Sequence, residues 1–374
     1  MSRISKTHYD HFASKEPAII KEINARALRM PDPERPLVMD EGIDRQAHRI
    51  LMDSIIENGR VNLARRGYKV ARMTGGEILS IMPEKIKEAL WASLNQDFIH
   101  NLNFTLFGRK TFFFRENLVA RLAETELNVD NELLEPPFKS CLFIYNDQCM
   151  RDALYAIHGL AAPDHGPISV YISKLPRGSD FMLAIYAVHN IGSDTRAPVV
   201  RQLILRSGQT IEDALRTNWE EEYRVSGEAP PNSAHLDVLE SEKFFGVGFR
   251  LYRVVLNSIL YLGSSHPDLS DLIQPPHYNH AKNIVGSARR QLERSSAHET
   301  RLSYIDVGRS VLPVEGIPQD TGSGRPLDHQ VRVRGHWKSQ AHGPGWSKRK
   351  IIRVEPYWKG PDAAEVISKN YVVR

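Results

Sequence analysis

The chain reads as an α+β protein with a mainly helical N-terminal domain, a mixed or antiparallel sheet interleaved with long helices, and a basic β-ribbon at the C-terminus. Three observations predict this. Apolar residues recur at helical spacing through the first third of the chain, short β-rich runs crowd together after Pro136 and Pro137, and the C-terminal stretch alternates apolar with basic side chains.

Residues 1–14 are polar and read as frayed. Pro17 then opens a helical pattern with Ile19, Ile20, Ile23, Ala27 and Leu28 on one side, stopped by Pro31, Pro33 and Pro36. From Asp44 the spacing of Ala47, Ile50, Leu51, Ile55 and Ile56 predicts a second helix, ended by Gly59 or Gly67 and followed by an extended piece over 68–73. Another helix begins near Pro83 and carries Ile86, Leu90, Leu94, Phe98 and Leu102, and a further one runs from Arg115 through Leu118, Val119 and Leu122. The run Thr74-Gly75-Gly76-Glu77 reads as a plain turn, because two adjacent glycines alone are a weak phosphate signal.

After the two prolines, the runs 141–145, 168–172, 181–188 and 199–205 are β-like. The last three follow too closely for parallel crossovers, so an antiparallel meander is expected. Helices are expected through Ala153, Leu154 and Ile157, over 211–219, and in a long spine over 236–262. The pair Gly246 and Gly248 falls inside that spine rather than after a strand, which rejects a dinucleotide fingerprint. Glu220, Glu221 and Glu222 point around a helix and read as a solvated face. A helix over 279–294 carries Arg289, Arg290 and Arg294. The expected division is a helical domain at 1–130, an α+β domain at 131–307, a Gly/Pro-rich loop at 308–328 and a basic aromatic ribbon at 329–374.

Composition narrows the function. With 41% hydrophobic and 25% charged residues the chain is a folding, globular type. No run of about 18 apolar residues and no secretory leader is present, so no membrane partner and a cytoplasmic location are expected. Two cysteines, Cys141 and Cys149, exclude a disulfide scaffold, and Cys141 reads as a buried thiol. Net charge is +4, but residues 325–374 hold eleven Lys/Arg against four Asp/Glu, a local +7 that leaves −3 on the rest. Such asymmetry points to an acidic partner at the C-terminal end.

Within that end, Val331, Val333, Gly335 and Trp337 fall on one face of an extended strand, and Arg332, Arg334, His336 and Lys338 on the other. A loop carries His342, Gly343, Pro344, Gly345 and Trp346, and a second strand follows from Lys350 with Ile351, Ile352 and Val354, ended by Pro356. The candidate nucleic-acid-binding residues are His329, Arg332, Arg334, His336, Lys338, Trp346, Lys348, Arg349, Lys350, Arg353, Tyr357 and Lys359, because cations neutralise phosphate and an exposed ring stacks on bases. Trp337, on the apolar face, reads as core. The competing reading is edge protection, in which exposed charge only discourages strand pairing between molecules. His329, His336 and His342 lack matched cysteine or acidic partners, so neither metal nor cofactor is expected. His336, flanked by Arg334 and Lys338, is the one candidate general base for RNA cleavage.

At these residues a resemblance enters. His329, Arg332, Arg334-Gly335-His336-Trp337-Lys338, the Gly-rich loop, Ile352, Pro356 and Lys359-Gly360 resemble the C-terminal R-G-H-W-(R/K) signature of many phage and plasmid proteins, and among them the family of the second type V-A anti-CRISPR inhibitor, which acts against Cas12a. The match is strong over about 40 residues, with weaker support from the order of helical part, sheet and long helix. Lys338 stands where arginine is commoner, which keeps the charge and loses the bidentate fork. The resemblance implies a mobile-element protein that lowers synthesis of a CRISPR effector by recognising its nascent N-terminal peptide and promoting loss of its message. The expectation is thus a non-enzymatic regulator binding RNA, a nascent peptide, or both. The alternatives are a peptide-binding protein whose ribbon is purely structural and an RNA-cleaving nuclease.

Overall fold

The computed structural model describes residues 7–17, 20–21, 41–177, 180–191, 194–226, 238–273, 302–311, 319–320 and 331–359. Helices α1 (His8–Lys15), α2 (Glu41–Arg65), α3 (Gly75–Ile81) and α4 (Glu84–Leu106) come first. Strand β1 (Thr111–Phe114), helix α5 (Glu116–Ala123), strand β2 (Ser140–Tyr145), helix α6 (Gln148–Ala156) and strands β3 (Ile168–Arg177), β4 (Asp180–Ile191) and β5 (Asp194–Leu205) follow. Helices α7 (Ile211–Ser226) and α8 (Val238–Leu262), then strands β6 (Leu269–Ile273) and β7 (Tyr304–Val307), complete the body.

Seven strands form one mixed sheet in the order β5-β4-β3-β2-β1-β7-β6. Strands β2, β1 and β7 run parallel, and β3, β4 and β5 form the expected antiparallel meander. The α+β class is therefore observed. Side-chain alternation divides the sheet's two faces between two helical layers. Phe112, Phe114, Phe143, Tyr145, Val170 and Ile185 pack with apolar residues of α5, α6, α7 and α8. Phe113, Leu142, Ile144, Tyr171 and Tyr186 pack with those of α1 to α4.

Several local expectations change. Residues 1–14 do not all fray: α1 is closed by a Thr7/Asp10 capping box, and Tyr9, Phe12 and Ala13 bury an i, i+3, i+4 stripe hidden in a polar sequence. The helix after Asp44 does run on through Gly59, to Arg65, and a 3-10 turn over Val70–Arg72 lies where an extended piece was expected. The run at Thr74 is the start of α3, with Thr74 and Glu77 forming a second capping box. Strand β1 lies within the stretch read as helical, and β6 and β7 were not expected at all. Each is only four or five residues long, too short for its period to show. The pattern over 22–40 and the helix over 279–294 lie outside the described residues.

The second face holds a buried polar network. His8 places Nε2 2.7 Å from Asp97 Oδ1 and Nδ1 2.9 Å from the Tyr171 hydroxyl, which donates to Asn101 Oδ1 at 2.8 Å. His100 stacks on Tyr186 with ring centroids 4.9 Å apart, and burial pushes it down to about 4.

Candidate nucleic-acid interface

The C-terminal stretch does not form one ribbon. Strand β9 (Val331–Val333) joins β8 (Gln319–Asp320) and β12 (Tyr357–Lys359) in a three-stranded sheet, and β10 (His336–His342) pairs with β11 (Lys348–Val354) in a separate hairpin. The strand expected to continue from Val331 to Lys338 is interrupted at Arg334 and Gly335. There the backbone turns onto the body: the Gly335 carbonyl accepts from Glu126 N–H at 3.0 Å, and a Cβ at Gly335 would stand 2.9 Å from Thr125 Oγ1.

Trp337 fixes the hairpin. Its ring is 94% buried within the core that lies on the α8 side of the sheet, and its indole Nε1–H donates to Asn257 Oδ1 at 2.7 Å. Asn257 Nδ2 in turn donates to the carbonyls of Leu122 (2.8 Å) and Thr125 (2.9 Å), at the C-terminal end of α5. One carboxamide thus caps a helix and holds the ribbon. Ser265 adds two donors to the Ile351 carbonyl, from its N–H at 3.3 Å and its hydroxyl at 3.1 Å. Glu355 bridges Arg121 of α5 at 2.8 Å and Arg353 of β11 at 2.6 Å.

Register decides which cations face outward. In an antiparallel pair, directly opposed residues share a face. Trp337, Ser339 and Ala341 stand opposite Arg353, Ile351 and Arg349. His336, Lys338, Gln340 and His342 stand opposite Val354, Ile352, Lys350 and Lys348. The second face carries Lys338, Lys348 and Lys350 with two histidines. Arg349 lies on the other face but near the tip, where it is exposed. Arg353 lies on the Trp337 face with its side chain 6% exposed and its charge committed to Glu355. Burial first, opposed by Glu355, lowers its affinity for its proton. It therefore stands apart from the exposed cations with which the sequence grouped it. Arg334 is exposed, and Tyr357 is half-buried. The backbones of Arg332 and Lys359 lie in the three-stranded sheet, and His329 lies outside the described residues.

At the hairpin tip Trp346 is 72% exposed and adopts φ +57°, directly after Gly345, which like Gly343 also has positive φ. Left-handed backbone at a bulky residue costs about 1–2 kcal/mol, so the tip is held against its own preference. Hydrogen bonds from Trp346 N–H to Gly343 O (3.1 Å) and from the Ser347 hydroxyl to Pro344 O (3.0 Å) hold it. His336 Nδ1 is 3.2 Å from the Arg334 carbonyl, which only accepts, so that nitrogen carries the hydrogen. Among the described residues no group of three His, Cys, Asp or Glu is placed to hold a metal ion, and no helix is long and apolar enough to cross a membrane.

Sequence reasoning missed Asn257, Arg121 and Glu355, which seat the ribbon. Only Asn257 left a trace, as an amide inside the apolar run Val254-Val255-Leu256-Asn257-Ser258-Ile259.

Fold and site together define a mixed-sheet α+β protein covered by helices on both faces, with a basic hairpin seated on its α5–α8 side. The model of the AcrVA2-like family, the Anti-CRISPR type V subtype A2 family, matches residues 112–361, and the chain belongs to that family. Among solved structures, the crystal structure of AcrVA2 is similar over 94% of this chain and 99% of that one, at 12% identity and a TM-score of 0.38. No curated protein matches.

Proposed function

We propose that this anti-CRISPR-like protein, carried by a phage or plasmid and acting in the bacterial host cytoplasm, lowers expression of a defence effector by engaging its message, its nascent peptide, or both. The hairpin supplies the nucleic-acid contact, with RNA the expected form. One observation carries this reading: Lys338, Lys348 and Lys350 share the hairpin face opposite Trp337, and exposed Trp346 stands at its tip. Three ammonium groups on one face neutralise successive phosphates, and a rigid exposed indole stacks on a base.

The test is binding of labelled single-stranded RNA by the full chain between 50 and 200 mM salt. Affinity should fall steeply with salt, and the triple variant Lys338→Gln/Lys348→Gln/Lys350→Gln should flatten the log–log slope by roughly two to three. Absent or salt-insensitive binding sinks the reading.

The seating of the hairpin by Trp337 and Asn257 supports a second reading, in which the ribbon is structural and a peptide is bound elsewhere. Capture from cells after nuclease treatment separates the two. A nascent or mature protein partner that persists, together with a triple variant that captures it equally well, favours the second.

A further inference from the structure

The seam between α8 and the root of the hairpin holds arginines that the hairpin does not use. Trp337 is tied to Asn257. Three residues back along the chain from Trp337 stands Arg334, and one helical turn back from Asn257 stands Arg253, with Arg250 one turn further. Arg334 and Arg250 are exposed and Arg253 is half-buried. The Nε of Arg253 is buried without a hydrogen-bond partner. Burial is the main influence lowering its proton affinity. Glu212 opposes it, Arg334 adds to it, Glu126 opposes it and Arg250 adds to it. These five side chains sum to +1, so the two carboxylates do not cancel the cluster. Arg250 also lies beside the half-buried Cys149 thiol.

A desolvated guanidinium edge with an unused N–H, flanked by two further guanidiniums, is costly unless something anionic meets it. Arginine's planar fork fits a tetrahedral oxyanion through paired N–H donors. We infer that Arg253, with Arg250 and Arg334, forms an oxyanion site for a phosphate group at the root of the hairpin. This rests on reading the hairpin as the nucleic-acid contact, and extends the phosphate path from the Lys338 face onto the body. It also gives the signature arginine, Arg334, a partner set that its position in the ribbon does not reveal.

The experiment titrates inorganic phosphate into the full chain, labelled with ¹⁵N at arginine, at constant ionic strength, and follows the Arg253 Nε–Hε signal assigned through Arg253→Gln. The expected result is a saturable shift with a Kd on the order of 1 mM, weakened roughly tenfold in Arg334→Gln. A signal that fails to saturate, or that moves no more than that of Arg349, overturns the site. A second readout excludes a merely structural arginine. In phosphate-free buffer Arg253→Gln should melt no lower than the parent, because it removes a half-buried charge, with a buried Nε that has no acceptor, from a cluster that its two neighbouring carboxylates do not neutralise, and a clear fall in Tm refutes the proposal. An RNA arm distinguishes the two readings. If the parent binds RNA and Arg253→Gln matches it in affinity and salt slope, the site is refuted while the hairpin's role stands. If phosphate binds at Arg253 but RNA does not bind the chain, the site stands while the hairpin's role fails.

Discussion

Trp337→Phe keeps a six-membered aromatic ring but loses the pyrrole half of the indole with its N–H, so it breaks the bond that ties the hairpin to the body. Asn257 Oδ1 is then left in a site where the residue is fully buried. An unsatisfied buried acceptor costs about 1–3 kcal/mol, and the smaller ring adds a modest packing loss. Asn257→Leu does more damage. It strands the Leu122 and Thr125 carbonyls as well as the indole N–H, for a loss of about 3 kcal/mol or more. Combining the two should cost less than their sum by about 1–2 kcal/mol, because the bond between them can be lost only once. Urea unfolding measures each stability with the slope held as a check. Hydrogen exchange at β10 and β11 should quicken in both variants, while β2 and β3 exchange as before. Additive losses, or a Trp337→Phe cost below about 0.5 kcal/mol, would refute the claim that this bond seats the hairpin.

Trp346→Ala should weaken single-stranded RNA binding by about 1–3 kcal/mol without lowering stability, since its ring is mostly in solvent. A Tm loss with unchanged RNA affinity would make the ring structural. Gly335→Ala should destabilise by about 1–3 kcal/mol, because its Cβ meets Thr125 Oγ1 at 2.9 Å and Pro356 Cδ at 3.4 Å; an unchanged urea midpoint would show that the seam yields. His100 gives a pH signature. Burial holds it at about 4 against an ordinary 6.5, with Asp97 opposing and His8 adding, so the unfolded chain binds the extra proton between those values. The sign follows: this contribution is complete above about pH 6.5 and is lost as pH falls toward 4, by about 3 kcal/mol in all. His100→Phe, which retains an aromatic ring against Tyr186, should flatten the stability profile across that window, and an unaltered profile would count against the assignment.

The sheet was legible where its strands are long enough to show a β-type composition. The runs within β2 to β5 hold five or more residues rich in β-branched, aromatic and other apolar side chains, and the close succession of the last three announced the meander. Phe112, Phe113 and Phe114 were not legible, because β1 is only four residues long and sits inside a stretch whose flanking apolar residues recur at helical spacing. The stripes of α1 to α4 announced burial but not its object. Tyr171 and Tyr186, which meet them from the sheet, lie more than 60 residues downstream of α4. Among the candidate site residues, the outward face of Lys338 was legible from alternation and the exposure of Trp346 from its turn-rich loop. The buried fate of Arg353 turns on Glu355, only two residues away but held in place by Arg121 of α5. Arg253 was invisible for a similar reason, since cations such as Arg250 and Arg253 in an otherwise apolar helix read as its solvated edge.

The signature itself is best understood as two interleaved sets. Gly335 and Trp337 face the body, one as the place where backbone must pass close to Thr125 and the other as the ring that Asn257 holds. His336 and Lys338 take the opposite face because a strand reverses its side chains at every residue. Arg334 stands just before the strand, beside Arg253. The spacing therefore matters as much as the residue types. A shift of one residue would drive Lys338 toward the core and turn Trp337 outward, losing the seat and the presenting face together.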